Sequence, residues 1–328
     1  MTRILVMGGG LIGMRHAQAI AAHPRATLAG LVDPNPALVA PGGAPRFNDI
    51  ADVDMPVDGV IIATPTGLHA PHAEAAADRG WPALIEKPVA GTRKDAARVI
   101  AAARRVPILI GHHRRYHASL DTLRDAVTGR IGTPVTATLI WAMRKPDPYY
   151  QGNWRSAGGS PVMINLVHDI DVLRFVMGEI TGIVALPGRR LRGSDRIESG
   201  AVALQFASGA TGAISFADTA PSPWGFEAGT GENPNIGTTG QDMMWITGTE
   251  GGVSFPSLTL WSGTEWAHPA TPERLDAPAT VPLDAQLDHF LDVIVGAPPR
   301  ISAEDGAATL DIALKIEEAL TCRPSEAA

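Results

Sequence analysis

Arg3-Ile4-Leu5-Val6-Met7-Gly8-Gly9-Gly10-Leu11-Ile12-Gly13, near the amino terminus, decides the fold. A short apolar run with buried-strand character enters G-x-G-x-x-G at once, and Leu11 to about Ala22 continues with helical periodicity. Gly8 permits a tight turn, Gly10 lets a pyrophosphate approach the main chain, and Gly13 lets helix and strand pack closely. Leu11 and Ile12 open the helix, where backbone N–H groups lack helical partners. A second strand, Thr27 to Val32, ends in Asp33, about twenty residues beyond Gly13, where an acid binds the ribose 2′-hydroxyl of NAD. Asp33 repels a 2′-phosphate, and Pro34-Asn35-Pro36 offers no arginine to receive one, so NAD is expected over NADP. The competing reading is a glycine turn in an unrelated α/β protein, with Asp33 as a turn residue.

The alternation continues outward from this unit. Gly59 to Ala63 reads as a strand, Thr64-Pro65-Thr66-Gly67 as a turn, and Leu68 to Arg79 as a helix. Ala83-Leu84-Ile85 is another strand, ending in Glu86-Lys87-Pro88. Thr92 to Arg105 is helical, and Ile108 to Gly111 is a further strand. Strands alternating with helices predict a doubly wound parallel sheet with ligands beyond the strands' carboxyl ends, where Thr64, Pro65, Glu86, Lys87 and His112 lie. Pro34 to Pro45 is too broken for a full crossover helix.

Composition narrows the function classes. A chain of 328 residues, 45% hydrophobic and 19% charged, has material for two globular domains. A net charge of −7 without a basic block argues against nucleic acid or an anionic membrane as partner. The single cysteine, Cys322, excludes an intramolecular disulfide. No apolar run reaches a membrane span, and Gly8-Gly9-Gly10 interrupts the greasy start before a signal-peptide core, so a cytoplasmic protein is expected. His112-His113 and His117 are close in sequence, but no cysteine cluster accompanies them, and no metal is expected.

Beyond Tyr116 the pattern changes. His117 to Val127 reads as a connecting helix and Thr133 to Ala142 as a strand. Hairpins are expected around Ser208-Gly209 and Glu250-Gly251-Gly252, with another strand at Leu258 to Trp261. Ser160-Pro161 opens a helix that closes at Gly178, with Leu166, Ile170, Leu173 and Met177 as an apolar stripe. Asn165, His168 and Asp169 gather on another side of it and look like the chemistry. Arg144 to Tyr150, leading to Trp154 and Arg155, mixes cations with aromatics, which makes Lys145, Tyr149 and Trp154 candidate substrate contacts. Arg114, Arg115, Lys145 and Arg155 could receive a carboxylate; structural pairing of the arginines is the alternative. The Gly/Pro-rich stretch 220–240, with Trp224 and Glu227, is long for a structureless loop. The last segment holds two helices, about Asp284 to Val295 and Ser302 to Leu320.

The fingerprint at Gly8, Thr64-Pro65 with His69, Glu86-Lys87-Pro88, Gly111-His112-His113-Arg114-Arg115 and His168-x-x-Asp171, in this order, resemble the Gfo/Idh/MocA oxidoreductases. Those are named for glucose–fructose oxidoreductase, inositol dehydrogenase and a rhizopine-catabolism protein. Phe290 to Ile294 and Ala303 to Gly306 extend the resemblance over nearly the whole chain. It implies a Rossmann domain, 1–117, and an α+β domain, 118–328, with a large open, mostly antiparallel sheet and the C-terminal helices. One face of that sheet would cover the central helix and the other would meet a partner, giving a homo-oligomer, dimer or tetramer.

The implied activity is NAD-dependent hydride transfer at a secondary alcohol or ketone of a polyol, sugar, cyclitol or sugar acid. The resemblance makes Lys87 the family lysine and its bond to Pro88 a candidate cis peptide. A lysine fixed beside a positive nicotinamide ring has its pKa lowered, and could take the hydroxyl proton or stabilise an alkoxide. The plainer reading pairs Lys87 with Glu86 on the surface. The family places an aspartate four residues before the histidine, but this chain has Ile164 there. Asn165, on a neighbouring helical line, can orient a hydroxyl but cannot take its proton, which leaves His168 and Lys87 to do so. NAD is expected across Gly8 to Gly13 and Asp33, with nicotinamide facing Lys87, Asn165 and His168. Imine reduction, epimerisation through transient oxidation, and a non-catalytic NAD sensor are the alternatives.

Overall fold

The computed structural model describes residues 1–150, 159–193, 195–263 and 265–322. They form two compact units: Met1–Tyr116 with Val281–Asp311, and His117–Thr280 with the chain from Ile312 onward.

In the first unit six parallel strands are ordered β3-β2-β1-β4-β5-β6. They are β1 (Thr2–Met7), β2 (Ala26–Val32), β3 (Arg46–Phe47), β4 (Gly59–Ile62), β5 (Ala83–Glu86) and β6 (Ile108–Gly111). Helices α1 (Leu11–Ala22), α2 (His69–Asp78) and α3 (Arg93–Ala103) join them. Ile4, Leu5, Val6, Val60, Ile61 and Leu84 are wholly buried, which is why these strands read as unbroken apolar runs. The strand order reverses between β1 and β4, so the carboxyl ends of these two strands bound the crevice where such sheets take ligands. The proline-broken connection after β2 holds only a short 3₁₀ turn, Pro41–Gly43.

The division at 117/118 needs correction, because the last helices are not all in the second unit. Helix α7 (Pro282–Ile294) and the first half of α8 (Ala303–Thr321) pack in the first. A Cβ on Gly59 would meet Ile294 at 2.6 Å, and one on Gly306 would meet Ile110 at 2.8 Å. The Ile110 N–H donates to the Ile301 carbonyl at 3.0 Å, so residues from the far end of the chain cover the β6 edge. An apolar stripe shows that a helix packs, not which sheet receives it.

The second unit holds eight strands ordered β14-β13-β12-β11-β7-β10-β9-β8. These are β7 (Pro134–Ala142), β8 (Ile180–Pro187), β9 (Ser199–Phe206), β10 (Thr211–Ala217), β11 (Met244–Gly248), β12 (Gly251–Phe255), β13 (Thr259–Ser262) and β14 (Thr271–Arg274), and the same unit holds helices α4 (Ala118–Gly129) and α6 (Phe226–Thr230). Every neighbouring pair is antiparallel except β7 with β10, which run parallel with Leu139 opposite Ile214. Strict alternation in β9 and β10 sends Val202, Leu204, Phe206, Ile214 and Phe216 inward. They share one core with Leu139, Trp141 and the stripe Leu166, Ile170, Leu173 and Met177 of the central helix. Burying each such side chain contributes about 1.5–3 kcal/mol. Strands β3, β8 and β14 were not expected from the sequence.

The central helix differs from its expected form in two ways. Its first turn, Val162–Leu166, is a π-turn in which the Val167 N–H reaches back to the Val162 carbonyl, and the α-helix proper, α5, runs Val167–Met177. It is also buried nearly all round, Asp169 and Asp171 included, with only Phe175 of α5 partly exposed. No helix among the described residues is long and apolar enough to cross a membrane.

Candidate active site

In the first unit the fingerprint glycines have three different surroundings. Gly8 has φ +94°, and a Cβ there would stand 2.5 Å from the Ala63 carbonyl oxygen. A Cβ on Gly13 would stand 1.8 Å from the Gly8 carbonyl oxygen, so helix and strand meet backbone to backbone. Gly10 precedes the first turn of α1 in extended conformation, and nothing lies within 4 Å of where its Cβ would be. That open space beside unpartnered helix N–H groups fits a pyrophosphate. Leu11 is exposed, and Ile12 is half-buried.

Asp33 braces this loop. Its Oδ2 accepts the Gly9 N–H at 2.7 Å and its Oδ1 accepts the Asn35 N–H at 2.8 Å. The Arg46 guanidinium donates to the Asp33 carbonyl at 2.7 Å and to Asn48 at 2.8 Å. Sequence reasoning missed this arginine, because it considered only Pro34-Asn35-Pro36, directly after Asp33. Arg46 arrives from the neighbouring strand, in register with Leu31.

At the ends of β4 and β5 two buried histidines tie the turns. His69 places Nε2 2.9 Å from the Thr64 carbonyl and Nδ1 3.0 Å from the Pro88 carbonyl. Burial pushes its pKa down, against the hydrogen bonds to those two carbonyls. His69 therefore links the Thr64-Pro65 turn to the lysine turn, a larger role than capping α2. The Thr64 hydroxyl lies 3.0 Å from His72 Nδ1, and Pro65 is exposed. Glu86 is buried, with Oε1 2.7 Å from His16 Nε2 and Oε2 accepting the Lys87 N–H at 3.2 Å. Burial raises the Glu86 pKa, but the hydrogen bond and charge of His16, with His113 and Lys87, overcome it and hold the carboxyl at about 2. Lys87 is half-buried, and its bond to Pro88 is cis. Arg114 is buried and Arg115 pairs with Asp305 at 2.6 Å, so the structural reading of these arginines fits their surroundings.

In the second unit Asn165 sits in the π-turn, and His168 one turn on; both are buried. The stretch 220–240 is not structureless: it folds into a short helix, Phe226–Thr230, tied down by Thr239. This brings Glu227 into the unit, where its carboxylate accepts from Trp141 Nε1 at 3.4 Å and Asn165 Nδ2 at 3.5 Å. The Lys145 ammonium stands 5.1 Å from the Tyr149 ring centre and 5.7 Å from that of Trp141. Its main chain is fixed by Asp218 and Arg192, which bond the Lys145 N–H at 2.8 Å and carbonyl at 2.9 Å. Buried Asp218 also accepts from Tyr150 at 2.5 Å, Arg192 at 2.6 Å and Arg196 at 2.8 Å. Neither Glu227 nor Asp218 carries a local sequence signal linking it to these partners. Trp154 and Arg155 lie outside the described residues.

Two family models match the chain, one after the other. Residues 2–111 match the oxidoreductase family with an NAD-binding Rossmann fold, and residues 120–254 match the GFO/IDH/MocA C-terminal domain. The chain belongs to the Gfo/Idh/MocA family. It is 37% identical over 165 residues to a 1,5-anhydro-D-fructose reductase of Ensifer adhaerens, a match covering 48% of this chain and 49% of that enzyme. An inositol 2-dehydrogenase of Rhizobium meliloti is 28% identical over 95% of this chain and 94% of its own. In three dimensions the chain resembles an oxidoreductase from Agrobacterium radiobacter crystallised with NAD+, L-tartaric acid and magnesium: TM-score 0.80 at 18% identity, over 97% and 96% of the two chains. As a Gfo/Idh/MocA oxidoreductase this chain carries an NAD-binding Rossmann unit. Ile164 lies in the π-turn beside Asn165. The carboxylate met by the same turn of helix is Glu227, through Asn165.

Proposed function

We propose that this protein transfers hydride between NAD and a secondary alcohol or ketone of a small polar polyol, sugar, cyclitol or sugar acid. The observation that carries the reading is the fixed lysine turn at the end of β5, two strands from the fingerprint strand, in a chain with an open Gly10 cradle. Gly8 to Gly13, Asp33, Thr64 and Pro65 would hold NAD, which when bound accepts or gives the hydride. Lys87 polarises the reacting oxygen, and Lys87 or His168 exchanges its proton. Asn165 orients that oxygen: its amide nitrogen faces Glu227, which leaves the amide oxygen to accept a substrate hydroxyl. Lys145 and Tyr149 contact the substrate's remaining groups, with Lys145 able to receive a carboxylate. Arg114 is left out of this set: at 1% exposed it is more deeply buried than Asn165 or His168, at 7% each. The names of the sugar and cyclitol relatives support the substrate class.

A homo-oligomer through the outer face of the eight-stranded sheet belongs to the same proposal. Val184, Leu186, Ala201, Ala203 and Trp245 are exposed on that face. A cytoplasmic location follows from dependence on the NAD pool.

The test is an absorbance screen of aldonates, sugars and cyclitols with NAD, run on wild type and Lys87→Met. Wild type should form NADH with at least one compound class. Lys87→Met should lose about 10²–10⁴-fold in turnover while NAD binding persists. Unchanged turnover removes Lys87 from the mechanism, and silence across the panel with NAD bound favours a non-catalytic sensor.

A further inference from the structure

His16 lies three residues after Gly13 on α1, and residues three apart share a helix face. Gly13 meets the main chain of Gly8, the residue after β1, and the side chain of Ala63 after β4, so that face looks toward the sheet. His16 is 1% exposed and Glu86 5%, and their 2.7 Å contact is the kind of buried pair that seldom adds stability over apolar side chains of equal volume. Glu86 is the last residue of β5, and its second carboxylate oxygen accepts the N–H of the next residue, Lys87. The slot is tightly shaped: a Cβ on Gly111 of the adjacent strand would stand 3.0 Å from Glu86 Cα and 3.3 Å from its Cδ. Beyond the lysine, His69 holds the Pro88 carbonyl.

We propose that His16 is a positioning residue for Lys87, acting through the Glu86 carboxylate. The role in turnover rests on the function proposed above; the placement of the lysine does not. His16 fixes Glu86 Oε1, Glu86 Oε2 fixes the Lys87 amide, and the lysine stem leaves the strand end in one direction. Without a donor at residue 16 the carboxylate loses its partner and turns or takes up a proton. The amide contact to Lys87 then loosens. Displacements of about 1 Å at a reacting group can lower a rate by about 100-fold.

The chain has only four lysines, Lys87, Lys94, Lys145 and Lys315, which makes the lysine itself a usable probe. Full-length wild type, His16→Leu and His16→Gln are reductively methylated with ¹³C-formaldehyde, and the Lys87 signal is assigned by its loss in Lys87→Arg. Glutamine can place its Nε2 donor near that of the imidazole; leucine fills similar space with no donor. The Lys87 methyl signal should move toward the position of a freely rotating lysine in His16→Leu and stay near wild type in His16→Gln. Turnover should fall about 10- to 100-fold in His16→Leu, with the NAD Kd within about threefold, and recover most of the loss in His16→Gln. A Lys87 signal unmoved in His16→Leu overturns the proposal, as does an equal disturbance in both variants. If His16→Leu does not fold, His16→Gln alone decides: a wild-type signal supports the arrangement, and a displaced one overturns it. Should no compound turn over in wild type, the function falls while the resonance still decides the placement.

Discussion

Gly10→Ala and Gly13→Ala should separate what the fingerprint does for the cofactor from what it does for the fold. Gly10 has φ −68°, which alanine adopts freely, and its Cβ would meet nothing within 4 Å. The free protein should therefore keep its stability or gain about 0.4–1 kcal/mol, because alanine narrows the unfolded ensemble. The new methyl would stand where a pyrophosphate must touch the main chain. Losing one charge-assisted hydrogen bond costs about 1.5–3 kcal/mol, which raises the NAD Kd by about 10- to 150-fold. Gly13→Ala behaves in the opposite way. Its Cβ would stand 1.8 Å from the Gly8 carbonyl oxygen and 3.0 Å from the carbonyl carbon, and a backbone carbonyl cannot rotate aside as a side chain can. Helix α1 would have to lift from β1, at or above the upper end of the usual overpacking cost of about 1–3 kcal/mol. Urea unfolding and titration calorimetry with NAD on both variants provide the comparison. If Gly10→Ala bound NAD as wild type does, the pyrophosphate would not lie against Gly10 and the reasoning would fail.

Asp33→Ser should shift cofactor preference toward NADP by about tenfold or more, since it removes a negative charge while Arg46 remains beside the loop. Adding Arg46→Ala should abolish that gain; a gain that persists would show that Arg46 plays no part. Because Glu86 titrates at about 2 when folded against 4.5 otherwise, it contributes stability that is present above pH 4.5 and lost as pH falls toward 2. Glu86→Gln should flatten the stability profile in that acid window, by thermal melts, and an unchanged slope would count against an ionised Glu86. Trp245→Glu should lower the mass measured by light scattering if the outer sheet face joins copies. An unchanged mass would place any interface elsewhere.

What could be read from the sequence was what is encoded locally. Gly8, Gly10 and Gly13 announce themselves by spacing, and Ile4 to Val6 and Ile61 by unbroken apolar runs. The π-turn at Val162–Leu166 was not legible, because period counting assumes a uniform helix and one shifted turn leaves the apolar stripe intact. The partners of Arg46, Glu227 and Asp218 were hidden for a different reason. Each meets its partner only through sheet register or loop folding: Arg46 opposite Leu31, Glu227 some sixty residues from Asn165, and Asp218 at the end of a strand. Arg115 and Asp305 pair across 190 residues, which no local pattern could report.

The covering of the β6 edge by Ile301 has a consequence for biosynthesis. Residues 1–116 of the first unit are made before the second unit, yet the first unit is not complete until Asp311 has been made. During translation its last strand would wait with an open edge while the whole of the second unit is threaded out. A fragment ending at Tyr116 should therefore associate or aggregate through that edge, not behave as an independent nucleotide-binding module. Splicing residues 281–311 directly onto the fragment is the shortest route to a soluble one.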